Sequence, residues 1–320
     1  MCLCYNGEKK VFLVMQQYVE IVQNLHKVAG RKRHLDWLLL GSSAAYNLAG
    51  LLPPLATAGI IRVIAENNFD GIWMYAGMYV GFYALYFGFM RVNNYAYTRI
   101  AEFYHITLQE RIFRNVEEHP ELLEKLPRGQ VMDTFADDIR WMVDGMNVAT
   151  EALLQMLRLI IIFGVFLTQD LTAGVIAVLV DMLYLLVLND NAKEEARSYA
   201  SARRAEDKAI SAFSEMAEGK EERWIVMERS FPGWKREYRK KRRAIANRNT
   251  LWAGIPYLGK IVLYILLAKM VIDGEMRVDI LVLLIGYFEM TITCMDKLTA
   301  HLLDLSNYGV RVERIKKLIL

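Results

Sequence analysis

The sequence has few cysteines and no excess of one charge sign large enough to suggest a nucleic-acid surface. Its three cysteines, Cys2, Cys4 and Cys294, cannot form a disulfide framework. Two thiols near the start of the chain make a weak metal site, so no metal is expected. Asp and Glu nearly balance Lys and Arg over 320 residues, and the formal net charge is +3. A nucleic-acid partner is therefore not expected either.

Positive charge is nearly absent from three short stretches that separate apolar runs. Residues 65–69 and 168–173 contain no Lys or Arg, and residues 273–279 contain only Arg277. Lys and Arg collect on the cytoplasmic side of membrane spans, so these stretches are predicted to be short outer turns.

The basic residues lie instead in the long segments between the other apolar runs. Sixteen lie between Asn189 and Thr250, six between Asn93 and Met146, six before residue 36 and four after residue 306. Both termini and both long loops are thereby predicted to be cytoplasmic. The chain is predicted to be an all-α, multi-pass protein of the cell (plasma or inner) membrane.

Six apolar segments are long enough to be considered as spans, since about 20 residues cross roughly 30 Å of hydrocarbon. The predicted spans are residues 35–64, 71–92, 148–167, 171–188, 251–272 and 280–303, with cytosolic loops at about 93–146 and 189–250. Residues 1–34 form a separate N-terminal segment, and residues 35–320 form the six-helix domain. The N-terminal segment is amphipathic, which is typical of a helix on the inner membrane surface; a plain soluble cap is the alternative.

Three of the predicted helices are expected to continue well beyond the membrane. No Gly or Pro lies between Phe89 and Pro120, and apolar residues recur there every four positions, at Ile100, Tyr104, Leu108 and Ile112. One helix over residues 71–118 would be about 70 Å long. The segment after the fourth span is rich in good helix formers, and the fifth span has a helical lead-in from about Lys235. These helices are predicted to project roughly 30–40 Å into the cytosol.

Two local features are expected to shape individual spans. Pro53 and Pro54 remove backbone hydrogen bonds inside the first span and should bend it. Gly77 and Gly81, four residues apart in the second span, would allow another helix to approach closely.

Charged residues inside apolar segments are costly and usually face protein or water. A substrate cavity is therefore predicted to include Arg158, Asp181, Glu289, Lys260 and Asp296, with Lys297 next to the last of these. Arg158, Asp181 and Glu289 are placed near mid-membrane and are expected to contact a zwitterionic or peptide-like cargo. The alternative is that these charges pair with one another and only fix helix packing.

The sequence has no Gly-x-x-x-x-Gly-Lys-Ser/Thr motif, so no P-loop is available to bind nucleotide phosphates. No Ser, His and Asp pattern supports nucleophilic catalysis, so no catalytic residue is predicted. We expect that this chain does not hydrolyse ATP by itself.

Taken together, the pattern resembles the transmembrane domain of ABC exporters of the six-helix, type I class. Gly129 is followed by Asp138 in GQVMDTFADDI, which is similar to the family's entry into the third helix. Glu215 and Gly219 match its Glu…Gly segment after the fourth span. The motifs Asp273-Gly274 and Arg314-Ile315 also look like the family.

The resemblance implies a homo- or heterodimer of such domains, alternating access of a central cavity, and a nucleotide-binding domain that binds ATP and Mg. This domain is expected on a separate polypeptide or on a longer form of the chain. The resemblance also implies two cytosolic coupling helices, and the residues expected to dock there are Pro120, Glu121, Leu122, Leu123, Glu222, Trp224 and Met227. A non-transporting regulatory or sensor protein of the same fold, and an unrelated six-span channel or intramembrane enzyme, are the alternatives.

Overall fold

The computed structural model describes residues 7–121, 134–184 and 231–319, together with positions 198, 201–202, 205, 208–210, 212–213 and 228. These residues are helical almost throughout, and no β-strand occurs among them. The predicted all-α class is confirmed.

The chain divides into two units. The first comprises Met1–Gln169 and Ala268–Leu320, and the second comprises Asp170–Leu267. The helices of the first unit are α1 (Gly7–Ala29), α2 (Arg33–Ala49), α3 (Pro53–Ala65), α4 (Ile72–Glu118), α5 (Ile139–Gln169) and the later α8 (Val278–Ile319). The second unit contains α6 (Leu171–Tyr184) and most of α7 (Phe231–Ile272).

The break between α2 and α3 confirms the bend predicted from the proline pair. Helix α2 ends at Ala49, and α3 begins at Pro53, where a proline fits because a first-turn N–H has no helical partner. The Tyr287 hydroxyl of α8 donates a hydrogen bond to the Leu51 carbonyl at 3.1 Å. A side chain from another helix thus satisfies a carbonyl that the break exposes.

Helix α4 has 47 residues and is about 70 Å long at 1.5 Å per residue. Its C-terminal half has the predicted buried stripe, because Ile100, Tyr104, Leu108 and Ile112 are at most 1% exposed. The N-terminal half is exposed and apolar, with Trp73 82% exposed. Nothing in the described part of the chain lies within 4 Å of a Cβ built at Gly77 or Gly81, so the close approach that these glycines would allow stays a prediction.

The core of the first unit lies where α5 packs along α8 and α2 packs along α4. Helix α3 is fixed from two sides by close contacts. A Cβ at Gly59 would lie 2.2 Å from the Tyr75 ring of α4, and a Cβ at Gly286 would lie 3.1 Å from Pro54. Only glycine allows the helices to approach this closely.

Helix α1 packs against α5 and α4, with Ile21 and Leu25 at most 2% exposed. Its apolar stripe is therefore covered by protein, while Val19 on the other side is 47% exposed. Contact of this exposed side with a membrane surface stays a prediction.

In the second unit α6 and α7 meet at a glycine. A Cβ at Gly259 would lie 2.2 Å from Val180, so a larger residue would push the two helices apart. Leu263 and Leu267 continue the buried stripe of α7 at four-residue spacing.

Three helical segments among the described residues are long and apolar enough to cross a membrane: Arg33–Ala65, Ile139–Gln169 and Val278–Leu302. They coincide with the first, third and sixth predicted spans, and they fit a multi-pass membrane protein. The second predicted span is helical but rich in tyrosine and glycine. The fourth is described only over Leu171–Tyr184, and the fifth lies within α7. Six spans therefore stay a prediction.

Candidate functional site

Helix α5 has a stripe of polar side chains along one face, although it is one of the three span candidates. Asn147, Glu151, Gln155 and Arg158 follow one another at spacings of four, four and three residues, which places them on the same side of a helix. Glu151 and Arg158 are each 8% exposed, and Gln155 is fully buried. A carboxylate and a guanidinium are thus held inside the first unit.

Asn47 of α2 lies between these two charged groups. Its amide nitrogen donates a hydrogen bond to Oε2 of Glu151 at 3.4 Å. Its amide oxygen accepts from Nε2 of Gln155 at 3.2 Å and from Nη1 of Arg158 at 3.4 Å. A neutral amide therefore presents its donor to the anion and its acceptor to the cation. We call these four residues, Asn47, Glu151, Gln155 and Arg158, the amide-bridged cluster.

The amide-bridged cluster does not satisfy all of its own polar atoms. Oε1 of Glu151, Oε1 of Gln155 and Nε of Arg158 are buried and have no hydrogen-bond partner among the described residues. The same holds for Oδ1 of Asn147, one turn earlier on the stripe. Each unpaired buried polar atom costs roughly 1–3 kcal/mol, so their concentration on one helix face needs a reason.

A second layer of polar side chains supports Asn47. The Asn47 amide also donates to the Ser43 carbonyl at 2.9 Å. The Ser43 hydroxyl donates to Oδ1 of Asn93 on α4 at 2.6 Å, and the Ser42 hydroxyl donates to the same atom at 3.2 Å. These bonds orient the face of α2 that presents Asn47 to α5.

Titratable groups from two other helices face the carboxylate. Tyr46 of α2 and His301 of α8 both interact electrostatically with Glu151, and His301 also interacts with Lys297 and Asp304. Tyr86 of α4 lies behind Tyr46, with their ring centroids 6.0 Å apart.

The predicted cavity residues fall into three groups. Arg158 belongs to the amide-bridged cluster. Glu289 and Asp296 lie on α8, where Glu289 is exposed and Asp296 is half-buried, and exposed Lys297 follows Asp296. Together with the exposed Thr293 these residues form a polar face of α8, opposite its buried apolar face.

The remaining two predicted cavity residues, Asp181 and Lys260, belong to the second unit. Asp181 on α6 is 2% exposed. Lys260 on α7 lies 5.4 Å from the centroid of the Tyr264 ring and 5.9 Å from that of Tyr257. Asp181 and Lys260 are each next in sequence to one of the contacting residues Val180 and Gly259, so both charges lie at the same level of the α6–α7 pair.

The predicted coupling residues are mostly outside the described part of the chain. Pro120 and Glu121 are exposed just after the end of α4, and Oε1 of Glu121 lies 3.1 Å from Nδ1 of His119. The predictions for Leu122, Leu123, Glu222, Trp224 and Met227 lie outside the described residues.

A second polar group joins α1, α2 and α4 near the start of α2. Nε2 of His26 lies 3.1 Å from Oδ2 of Asp36, and Nε of Arg31 lies 3.8 Å from the same oxygen. The Tyr104 hydroxyl lies 3.5 Å from Oδ1 of Asp36. Burial raises the pKa of Tyr104, and the Asp36 carboxylate raises it further. This group fastens α1 to the start of α2.

Sequence reasoning missed Glu151, Gln155 and Asn47. Glu151 lies inside the third predicted span, seven residues before Arg158, and that spacing returns to the same helix face. The polar pattern of α5 could therefore have identified the Glu151–Arg158 pair. No sequence signal brings Asn47 to this pair, because the contact depends on how α2 packs against α5.

No group of three or more His, Cys, Asp or Glu residues within the described ranges could hold a metal ion. Comparison with protein-family models and comparison with curated proteins both find no match for this chain.

Proposed function

We propose that this chain is the membrane-spanning subunit of an ATP-driven exporter, with ATP hydrolysed by a nucleotide-binding domain that docks on its cytosolic helix ends. Two copies, or this chain and a related one, would enclose the translocation pathway. The resemblance described above motivates the proposal, and the helix lengths support it.

The observation that carries the proposal is the length of α4. A bilayer takes up roughly 30 Å of a helix, whereas α4 is about 70 Å long and has a buried stripe along the half that follows its aromatic part. Helix α8 has 42 residues, or about 63 Å. A packed extension of this size is suited to transmit motion between a membrane region and a partner some distance away.

The break between α2 and α3 offers a place where such motion can occur. Alternating access needs an element that changes direction without unfolding, and helix ends commonly serve as such hinges. Three residues, Gly50, Leu51 and Leu52, separate two helices that together form one span candidate. Movement of α2 at this point would alter the surroundings of Asn47.

Co-purification tests the proposed partner. The chain, tagged at one end and expressed in its own host, would be purified in a mild detergent, and bound polypeptides would be tested for ATP hydrolysis. We expect an ATPase with a P-loop to co-purify in a defined ratio. A variant in which residues 119–123 are replaced by glycine and serine should no longer bind the ATPase. The thermal unfolding of its helices should match that of the unaltered chain. A preparation without any ATPase would contradict the proposal.

Transport in proteoliposomes separates the proposal from a regulatory or sensor role. An exporter moves cargo only when ATP is supplied, whereas a regulator binds the ATPase without moving cargo.

Reporter tags at residues 67, 170 and 276 test the orientation of the chain in the membrane, since all three should lie on the opposite side from both termini.

A further inference from the structure

We propose that the amide-bridged cluster is a binding site for an α-amino acid zwitterion, and that the Asn47 side chain occupies this site when no ligand is bound. The assignment to a transported substrate rests on the proposed exporter function, but the binding itself requires no ATPase.

The charges of the cluster define the class of ligand. Glu151 supplies a carboxylate and Arg158 a guanidinium, both nearly buried and both with an unpartnered polar atom among the described residues. An ammonium group would donate to Oε1 of Glu151, and a carboxylate would accept from Nε of Arg158. Such a ligand carries both charges, so the neutrality of the site is kept. A purely cationic or anionic ligand would add an uncompensated charge inside the span, which is costly.

The spacing of the charges defines the size of the ligand. Oε2 of Glu151 lies 3.4 Å from the amide nitrogen of Asn47, and Nη1 of Arg158 lies 3.4 Å from its amide oxygen. The carboxylate and the guanidinium are therefore held with these two atoms within roughly 9 Å of each other. An α-amino acid places its ammonium and carboxylate about 3 Å apart, and two charge-assisted hydrogen bonds of about 2.8 Å bring the total to about 9 Å. A dipeptide and γ-aminobutyrate in their extended forms separate the two charges too widely, and bending them to fit would cost conformational freedom.

Asn47 has the polarity that the ligand would have. Its N–H₂ group points at the anion, and its carbonyl oxygen accepts from Gln155 and Arg158. The amide is neutral, however, and it leaves one polar atom on each of the three α5 residues without a partner. A zwitterion offers more donors and acceptors and full charges, so it should displace the amide when α2 turns at its break.

The experiment measures binding to the purified chain in lipid nanodiscs without ATP or any ATPase. Thermal unfolding is recorded with alanine, leucine, phenylalanine, lysine and glutamate, and the amino acid with the largest stabilisation is used in tritiated form for equilibrium binding. At least one of the five should raise the unfolding temperature. Its N-acetyl derivative and its amide, each lacking one charge, and γ-aminobutyrate should not.

Three variants test which residues form the site. Glu151→Gln should weaken binding roughly 10- to 100-fold, because a charge-assisted hydrogen bond is lost. Asn47→Ala should strengthen binding by roughly 3- to 10-fold, because the competing amide is removed. Leu48→Ala is the matched control, since Leu48 follows Asn47 on α2 and its side chain is exposed rather than directed at the two charged groups. This variant should bind like the unaltered chain.

The effect of Asn47→Ala distinguishes a ligand-binding site from an amide that only stabilises the packing of α2 against α5. If the amide only holds α2 against α5, Asn47→Ala lowers stability and does not strengthen binding, and the proposal is overturned. Stabilisation by N-acetyl or amide derivatives, or by none of the five amino acids, overturns it as well. These failures leave the exporter proposal standing when the ATPase still co-purifies, whereas loss of the ATPase with binding intact contradicts only the exporter proposal.

Discussion

Helices α5 and α8 both carry charges inside segments apolar enough to cross a membrane, but they place these charges in opposite ways. On α5, Glu151 and Arg158 are buried and joined through an amide of α2. On α8, Glu289 and Lys297 lie on the face that is exposed. The difference indicates that a charge in a span can hold helices together or can line a surface, and that only the packing of its helix decides between the two.

The largest expected effect on the free energy of unfolding comes from removing one of the two buried charges on α5. Arg158→Met removes one partner of the amide-bridged cluster and leaves the Glu151 carboxylate buried without its counter-charge, which should lower the free energy of unfolding by about 3 kcal/mol. Lys297→Met on α8 is the matched control and should cost less than about 1 kcal/mol, because its side chain is exposed. Unfolding in mixed micelles measures both. Equal losses would mean that the two faces do not differ.

Thiol labelling tests whether the polar residues of α8 are more accessible to water than those of α5. In a variant with Cys2, Cys4 and Cys294 replaced by alanine, Thr293→Cys on the polar face of α8 should react with a charged maleimide at least about tenfold faster than Gln155→Cys on α5. The reason is that Gln155 is fully buried, whereas Thr293 is exposed on a face that we expect to line a water-filled path. Similar rates would place the α8 face against lipid or protein.

The two faces of α8 can also be compared with each other. Tyr287→Phe removes the donor to the Leu51 carbonyl at the α2–α3 break and should destabilise the chain by about 1 kcal/mol. Thr293→Val, on the exposed face of the same helix, should change stability by less than about 0.5 kcal/mol. Chemical or thermal unfolding checks both changes. A neutral Tyr287→Phe would mean that the carbonyl finds another donor.

The smallest expected effect lies in the second unit, away from the apolar segments. Glu237 accepts hydrogen bonds from Lys240 at 2.8 Å and from Ser201 at 3.0 Å, and these bonds lower the pKa of its carboxyl below the ordinary value of 4.5. A lowered pKa stabilises the fold above the ordinary value, and this contribution is lost as the pH falls through the lowered value. Glu237→Gln should therefore unfold slightly earlier than the unaltered chain at pH 7, and the difference should vanish as the pH falls below about 4.

Much of the architecture could be predicted from local sequence patterns, because those patterns act within one helix. The stripe from Ile100 to Ile112 predicted the long helix α4, and Pro53-Pro54 predicted the break. The spacing of Gly77 and Gly81 allows a helix contact without requiring one, and no described residue makes it. Glycines that do sit at tight contacts, such as Gly59 and Gly286, have no comparable spacing signal.

The candidate site was predicted only in part, because it is formed by packing between helices. Arg158 was identified from its position inside a span, and it does lie in a polar cluster. Its predicted companions are elsewhere: Glu289 is on the exposed face of α8, and Asp181 belongs to the second unit. The companions that the structure provides, Asn47 and Glu151, come from a contact between α2 and α5 that no single-sequence pattern encodes.

The two glycine contacts around α3 have a consequence for which half of the first span candidate can move. Tyr75 lies against one side of this short helix and Gly286 lies against Pro54 at its start, so α3 is clamped while α2 is joined to it by only three residues. Rotation at the joint would have to break the contacts of α2 with α4 and α5, including the hydrogen bonds of Ser43 and Asn47, while those of α3 stay in place. In the proposed exporter, the half of the first span candidate that begins at Arg33 would then be the moving element, and the half that ends at Ala65 would be the fixed one.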